Sequence, residues 1–314
     1  MTTVVYCLCF GTFCLSAIVK NKNDMSLHQY SESGEVVQVS YASKAVEKSS
    51  IGLIGFSEQE YSVVFAVQKK PSTLQVRTKQ LLIEKYSRTL GMALSGYSAD
   101  NEYVRSKCNL LKQTHILRFG ETPLINSIAK SVSRYLTRGM YIGDKDTVLR
   151  PVATAILFFG RDFSDSAHRL TMVENSGSIK QCSFITLGNI PGGPFAIEKI
   201  RKRVQTAEKD LTNAARSDYN VKDAKEGLRR RIIDVATILF DAAESSPSET
   251  TETDDNPNTE YAKYSQNREN NAEKRSEIDI ECSICDSSGL FFTDSFSSTE
   301  KLLRLLNDEW LGDE

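Results

Sequence analysis

The chain has 314 residues, 40% hydrophobic and 25% charged, ordinary globular proportions that exclude a wholly disordered, collagen-like or polytopic membrane chain. Its 39 basic and 41 acidic side chains leave a net charge of −2, so no global charge draws it to nucleic acid or an acidic membrane surface. Enzyme and scaffold stay equally open on these figures.

Residues 3–19 are apolar and uncharged and end at Lys20-Asn-Lys22. A secretory signal would carry positive charge ahead of its apolar run, and none precedes this one. The run is also at the short limit of a membrane span of about 20 residues. A weak signal peptide, an N-terminal extension over residues 1–24, and a true start at Met25 compete; the last two are favoured because nothing downstream reads as secreted.

Residues 34–48 predict an amphipathic helix, with Val36, Val39, Ala42 and Val46 at helical spacing. The apolar runs 51–56 and 61–67, split by Ser57-Glu-Gln-Glu60, predict a strand hairpin. Thr89–Leu94 predicts a further strand ending at Ser95-Gly96. Helices are predicted from Ser98 to about Arg118, and from Thr122-Pro123 to about Tyr135, because proline suits a first helical turn. After Arg150-Pro151, the nearly continuous apolar run 152–160 suits a strand buried on both faces. Strands at 169–173 and 182–187 flank the turn Asn175-Ser-Gly177. Two helices follow, at 194–215 and 221–243, then strands at 278–285 and 290–293 and a short helix at 298–306. Paired helices between groups of strands imply helix layers over antiparallel sheets, an α+β class.

Glu244–Glu260 carries six acids, no basic residue and seven Ser or Thr. Such a stretch cannot bury enough apolar surface to offset the entropy of ordering, so a disordered acidic insertion is expected at about 244–275. It would interrupt a single domain spanning 25–314.

Seven cysteines, unevenly placed, do not read as a secreted disulfide framework. Cys282-Ser-Ile-Cys285 could be half a zinc site or a redox pair. It lies, however, in an alternating segment in which Ile278, Ile280, Cys282 and Ile284 share one face and Cys285 points to the other. Two free thiols in a strand are the simpler reading. His28, His115 and His168 show no paired ligand spacing, so neither metal nor cofactor is expected. Dinucleotide, P-loop, zinc-protease and serine-hydrolase motifs are absent from the sequence. The clusters Arg201-Lys-Arg203 and Arg229-Arg-Arg231 alternate with acids and read as solvated helix faces or subunit contacts rather than a nucleic-acid stripe.

This order of elements, and several residues, resemble the α-type subunits of the 20S proteasome. Gly34, Gln38, Val39, Tyr41 and Ala42 match the family's N-terminal helix signature. Ser95-Gly96-Tyr-Ser-Ala99-Asp100 is similar to its S/T-G-x-x-A-D helix start, and Arg150-Pro151 to its R-P strand start. Asn175-Ser-Gly177 stands where the family has P-S-G, and Leu187-Gly188 where it has I-G. Among ring positions the motifs resemble type 1 most closely, with type 2 and type 6 also fitting parts of the chain.

The resemblance implies a four-layer α-β-β-α sandwich, the Ntn-hydrolase fold, carrying an N-terminal helix. It implies a non-catalytic place in a heteroheptameric ring with six other α subunits, stacked on a β ring. Pore gating, docking of regulatory-particle ATPase C-termini, ubiquitin-dependent degradation and a cytoplasmic and nuclear location are implied with it, without membrane or nucleic-acid partners. Two departures stand out. The gate motif Y-D-R aligns with Asn23-Asp24-Met25, so only Asp24 matches, and the strand start R-P-F-G becomes Arg150-Pro-Val-Ala153. The lysine that captures activator C-termini falls on Leu82 by ungapped counting and on Lys85 with a three-residue gap; Lys79 is a second candidate.

β-type subunits of the same fold are threonine proteases, in which an N-terminal amine and a lysine activate a Thr hydroxyl. Met1-Thr2-Thr3 invites that reading, since removal of Met1 would expose Thr2. The β spacing, however, puts the aspartate and lysine positions on Ile18 and Gly34. A threonine peptidase, or a paralogue outside the ring, is the alternative to the structural subunit.

Overall fold

The computed structural model describes residues 30–69, 82–141, 150–162, 165, 167–190, 192–213, 221–245, 278–286, 289–292 and 298–306. Helix α1 (Val37–Glu47) leads into β1 (Ile51–Ser57), β2 (Ser62–Lys69), β3 (Ile83–Lys85) and β4 (Leu90–Gly96). Next come α2 (Ser98–Phe119), α3 (Ile125–Tyr141), β5 (Thr154–Gly160), β6 (Arg169–Val173), β7 (Ile179–Cys182) and β8 (Phe184–Leu187). Helices α4 (Gly193–Asn213) and α5 (Val221–Ser245), strands β9 (Ile278–Cys285) and β10 (Leu290–Phe292), and helix α6 (Thr299–Leu305) complete the described elements.

Two antiparallel sheets form, ordered β10-β9-β2-β1-β8 and β3-β4-β5-β6-β7. Their facing sides pack on each other through Leu53, Val64, Ala93, Leu157, Phe159 and Cys285. The outer face of the first sheet carries α4 and α5 on Ile54, Phe56, Phe65 and Ile280. That of the second carries α2 and α3 on Met92, Ile156 and Phe158. This is the expected α-β-β-α stack. It explains why β1, β4 and β5 are buried at every position. Alternate side chains go to the sheet interface and to the helix interface, so neither face needs polar residues. The alternation predicted for β9 holds, with Ile278, Ile280, Cys282 and Ile284 under the helices and Cys285 between the sheets. A Cβ at Gly91 would run into the ring of its cross-strand partner Phe159, so glycine at that position makes room for that ring in the layer between the sheets.

Three details differ from the sequence reading. The strand expected over 182–187 is two strands. β7 stays on β6 through Leu170↔Cys182, whereas β8 joins β1 through Phe56↔Phe184, so the chain changes sheet at Ser183. The short β3 was not among the predicted elements; at three residues it is too brief to show a period. The helix expected to open at Thr122-Pro123 begins at Ile125, where the Asp162 carboxylate accepts the Ile125 N–H at 2.8 Å. Most of the expected acidic insertion, and residues 1–24, lie outside the described residues.

Candidate assembly helix and the cleft beside it

Helix α1 is entered through a tight turn, in which the Gly34 N–H donates to Ser31 O and Gly34 adopts φ +82°, a conformation open to glycine at little cost. Ser40 Oγ then donates to Glu35 Oε2 at 2.8 Å across the first turn. Ala42 and Val46, four residues apart, form the buried stripe. Gln38 and Val39 are half-buried, and Tyr41 faces out, 46% exposed. The five signature residues thus divide into a turn glycine, an inward alanine, two flanking residues and an outward tyrosine.

Asn175, itself buried, fastens the helix to the β6–β7 turn. Its Oδ1 accepts from Ser43 Oγ at 3.0 Å and its Nδ2 donates to Val39 O at 3.2 Å. The sequence pattern marks Asn175 as a turn residue only, because its contacts with Val39 and Ser43 join segments far apart in the chain.

At its C-terminal end α1 forms one wall of a cleft of about 470 Å³, lined by Ala45, Lys48, Ser49, Ser50, Gly96, Tyr97, Ser98, Asp100, Arg150 and Ala153. Gly96 adopts φ +142°, and a Cβ there would meet the Ala153 carbonyl oxygen. Asp100, in the first turn of α2, receives both arms of the Arg150 guanidinium at 2.8 Å each and the Ala153 N–H at 2.8 Å. The fork geometry suits a carboxylate. The hydrogen bonds that Arg150 donates to Asp100 hold its guanidinium above its ordinary range. Two motifs picked out separately in the sequence, Ala99-Asp100 and Arg150-Pro151, therefore form one clasp. Ala153, where the family pattern has glycine, fits with its side chain buried. Beside the clasp, Thr154 Oγ1 pairs with Asn101 Oδ1.

Lys85 is exposed on the edge strand β3, opposite Gly91, and does not line this cleft. Its neighbour Glu84 pairs with Arg105 at 3.3 Å. Asp24 and Lys79 lie outside the described residues, as do Thr2 and Ile18. Gly34, the position that a catalytic lysine would take, is an exposed turn residue.

Burial pushes the Cys108 and Cys285 thiols up to about 12, and drives Cys282 up as well, the opposite of what a nucleophile or metal ligand requires. Cys282 and Cys285 lie on opposite faces of β9. Burial, with the Arg161 charge adding to it, pulls His168 down to about 4. Of the basic clusters, Arg201 pairs with Glu198 at 3.6 Å, Arg229 with Glu226 at 3.3 Å, and Arg231 with Glu58. Helix α2 buries Val104 and Cys108 but leaves Leu110, Leu117 and Phe119 outward, 54%, 88% and 66% exposed. Among the described residues there is no group of three or more metal-ligating side chains, and no helix is long and apolar enough to cross a membrane.

A family model described as "Proteasome subunit" matches residues 48–230. Proteasome subunit alpha type-7-1B of Drosophila virilis is 30% identical over 168 residues, 53% of this chain and 65% of that protein. Proteasome subunit alpha of Methanothermobacter thermautotrophicus is 27% identical over 181 residues, covering 57% and 69%. Proteasome subunit alpha type-3 of Spinacia oleracea is 25% identical over 202 residues, covering 64% and 78%. This chain therefore spans about two thirds of the curated relatives it matches, and these relatives, of types 7 and 3 and one without a type number, do not single out a ring position.

Proposed function

The chain belongs to the proteasome subunit family and its relatives are α-type, and from that premise we propose that it is a non-catalytic α-ring subunit of a 20S core particle. The observation that carries this reading is α1. An ordered helix fastened to the sandwich by Asn175, Ala42 and Val46 presents Tyr41 and the turn at Gly34 outward, available to a neighbour's equivalent surface. A ring of homologous subunits repeats one such interface around a closed cycle. Six other α subunits would complete the ring.

The outward apolar residues of α2 fit contact with the β ring, since exposed side chains of that size are seldom grouped without a partner. The segment before Gly34, with Asp24, would contribute to the axial gate. The cleft beside α1 would receive activator C-termini, coupling the particle to ubiquitin-dependent degradation in cytoplasm and nucleus. Absence of catalysis is supported by the residues at the catalytic positions, Ile18 and the turn residue Gly34. The acidic insertion would be a tolerated excursion of a single domain over 25–314.

Native mass spectrometry of the complex recovered through a tag placed after Glu314 tests the reading. Six further α chains and seven β chains are expected at a mass in the 20S range. A free monomer, or an oligomer of this chain alone, refutes it. Thr2→Ala in that particle is expected to leave peptide hydrolysis unchanged; loss of hydrolysis would restore the peptidase reading.

A further inference from the structure

We propose that Tyr103 and Tyr135 form an oxidation-responsive staple: a one-electron oxidant couples the two phenols through a carbon–carbon bond and so fastens α2 to α3. Tyr103 lies on α2 and Tyr135 on α3, which pack side by side on the second sheet. Their hydroxyls are hydrogen-bonded to each other, and the ring centroids are 6.0 Å apart with the planes tilted by 41°. The Lys107 ammonium, one turn along α2 from Tyr103, stands 5.6 Å from each ring centroid, and its charge attracts both π faces. Tyr103 is 38% exposed and Tyr135 is half-buried, so a diffusible oxidant reaches the pair. Tyr30 and Tyr97 are more exposed, at 66% and 60%, yet neither stands against a second tyrosine ring among the described residues.

Each phenol gives up one electron to the oxidant and its hydroxyl proton to solvent, which leaves two phenoxyl radicals whose unpaired electrons extend onto the ring carbons beside the oxygen. Hydroxyls in contact bring those carbons close, and partly exposed side chains close the remaining gap by rotations on the picosecond to nanosecond scale. The two radicals then pair to form the carbon–carbon bond. Each bonded carbon loses its hydrogen as a proton, its ring oxygen takes a proton up, and both rings are phenols again. With hydrogen peroxide as the terminal oxidant, one peroxide accepts the two electrons and two protons and becomes two waters. Cys108, on the same helix as Tyr103, is buried, and burial pushes its thiol up to about 12, so little thiolate is present to repair a tyrosyl radical.

The test is oxidation of the tagged protein, as recovered from cells with whatever it binds, by a haem peroxidase and hydrogen peroxide, followed by digestion and peptide mapping. The main tyrosine product is expected to be a joined pair of peptides carrying Tyr103 and Tyr135, lighter by two hydrogens than their sum and fluorescing as dityrosine. Groups held in one fold meet at an effective concentration of millimolar or more, so at micromolar protein this product should exceed cross-links between copies of the chain by at least about a hundredfold. Tyr103→Phe and Tyr135→Phe, which keep both rings, should each remove it, and Tyr97→Phe should leave it unchanged. The same oxidation in urea should abolish the preference. The new bond joins residues 32 apart and restrains the unfolded chain as a disulfide does, so the oxidised parent should unfold at a higher urea concentration than oxidised Tyr135→Phe. Oxidation of Tyr30 and Tyr97 without the joined pair, an equal yield from the urea-unfolded chain, or coupling seen only after the chain is freed from its partners would each overturn the inference.

Discussion

Replacing Asp100 should cost more than replacing its ionic partner. The Asp100 side chain is 12% exposed and accepts three hydrogen bonds, two from Arg150 and one from the buried Ala153 N–H. Asp100→Ala leaves that N–H without its acceptor, a penalty of about 1–3 kcal/mol for a buried polar group. It also removes the ion pair, but Arg150 is 54% exposed, so water screens the pair to about 0–1 kcal/mol. The sum is about 1–4 kcal/mol. Arg150→Met loses the screened pair and leaves Asp100 bonded to Ala153 in the first turn of α2, where the helix dipole favours its charge; about 1 kcal/mol is expected. Urea unfolding of the two variants and the parent, followed by far-UV circular dichroism with equal m-values, measures both. An Arg150→Met loss equal to or larger than that of Asp100→Ala would refute the reasoning, because it would make the ion pair, and not the backbone contact, the source of stability.

Burial lowers the folded-state pKa of His168 from 6.5 to about 4, with Arg161 adding to the effect and Asp286 opposing it. The unfolded chain therefore binds more protons between those values, and the stability this group contributes, fully present above about pH 6.5, should fall as pH drops towards 4; urea midpoints at pH 7, 6 and 5 should show a steeper fall in the parent than in His168→Phe. Cys108, Cys282 and Cys285 should resist iodoacetamide at pH 7.5 in the folded chain and react in urea, as peptide mapping would show, since their thiols are buried and pushed up by that burial. Leu117→Asp should change the unfolding free energy of the isolated chain, read from urea melts, by less than about 0.5 kcal/mol, as exposed substitutions do, yet lower the recovery of β subunits in a pull-down if α2 meets the second ring. Asn175→Leu should reduce hydrogen-exchange protection across residues 37–47 while leaving protection of β4 and β5 intact.

What the sequence showed and what it hid follow from the range of the interactions. Strand β9 was readable to the residue because its two faces meet different environments, and Ile278, Ile280, Cys282 and Ile284 carry a period of two. Helix α2 was readable at its start because Ser98-Ala-Asp100 combines a sharp turn at Gly96 with an acid in the first turn. The sheet change at Ser183 was not readable, since both halves of 182–187 are apolar enough for either sheet and only the partners β6 and β1 divide them. The cap on α3 was hidden for a like reason: Asp162 lies 37 residues from Ile125, beyond any local pattern. The cleft needed both kinds of information. Its motifs were local and visible, but their convergence on Asp100 depends on β4 and β5 pairing as Gly96↔Thr154.

Lys85 carries a sequence likeness but stands on the edge strand β3 opposite Gly91, outside the cleft beside α1. Sequence comparison rewards the string Ile83-Glu-Lys85 wherever a gap can be opened to align it. A strand pair fixes position by counting from the other strand, and that count puts Lys85 opposite Gly91, five residues short of Gly96. Removing residues from a hairpin at its tip leaves the remaining pairs in register, so a residue outside the turn keeps its cross-strand partner and its distance from the far end. The cations that line the cleft are brought by other elements: Arg150, held by Asp100, and Lys48, carried there because α1 is fastened by Asn175 and the buried pair Ala42 and Val46. Helix α1, whose C-cap is Lys48, thereby brings a second cation to the cleft that holds the Arg150–Asp100 clasp.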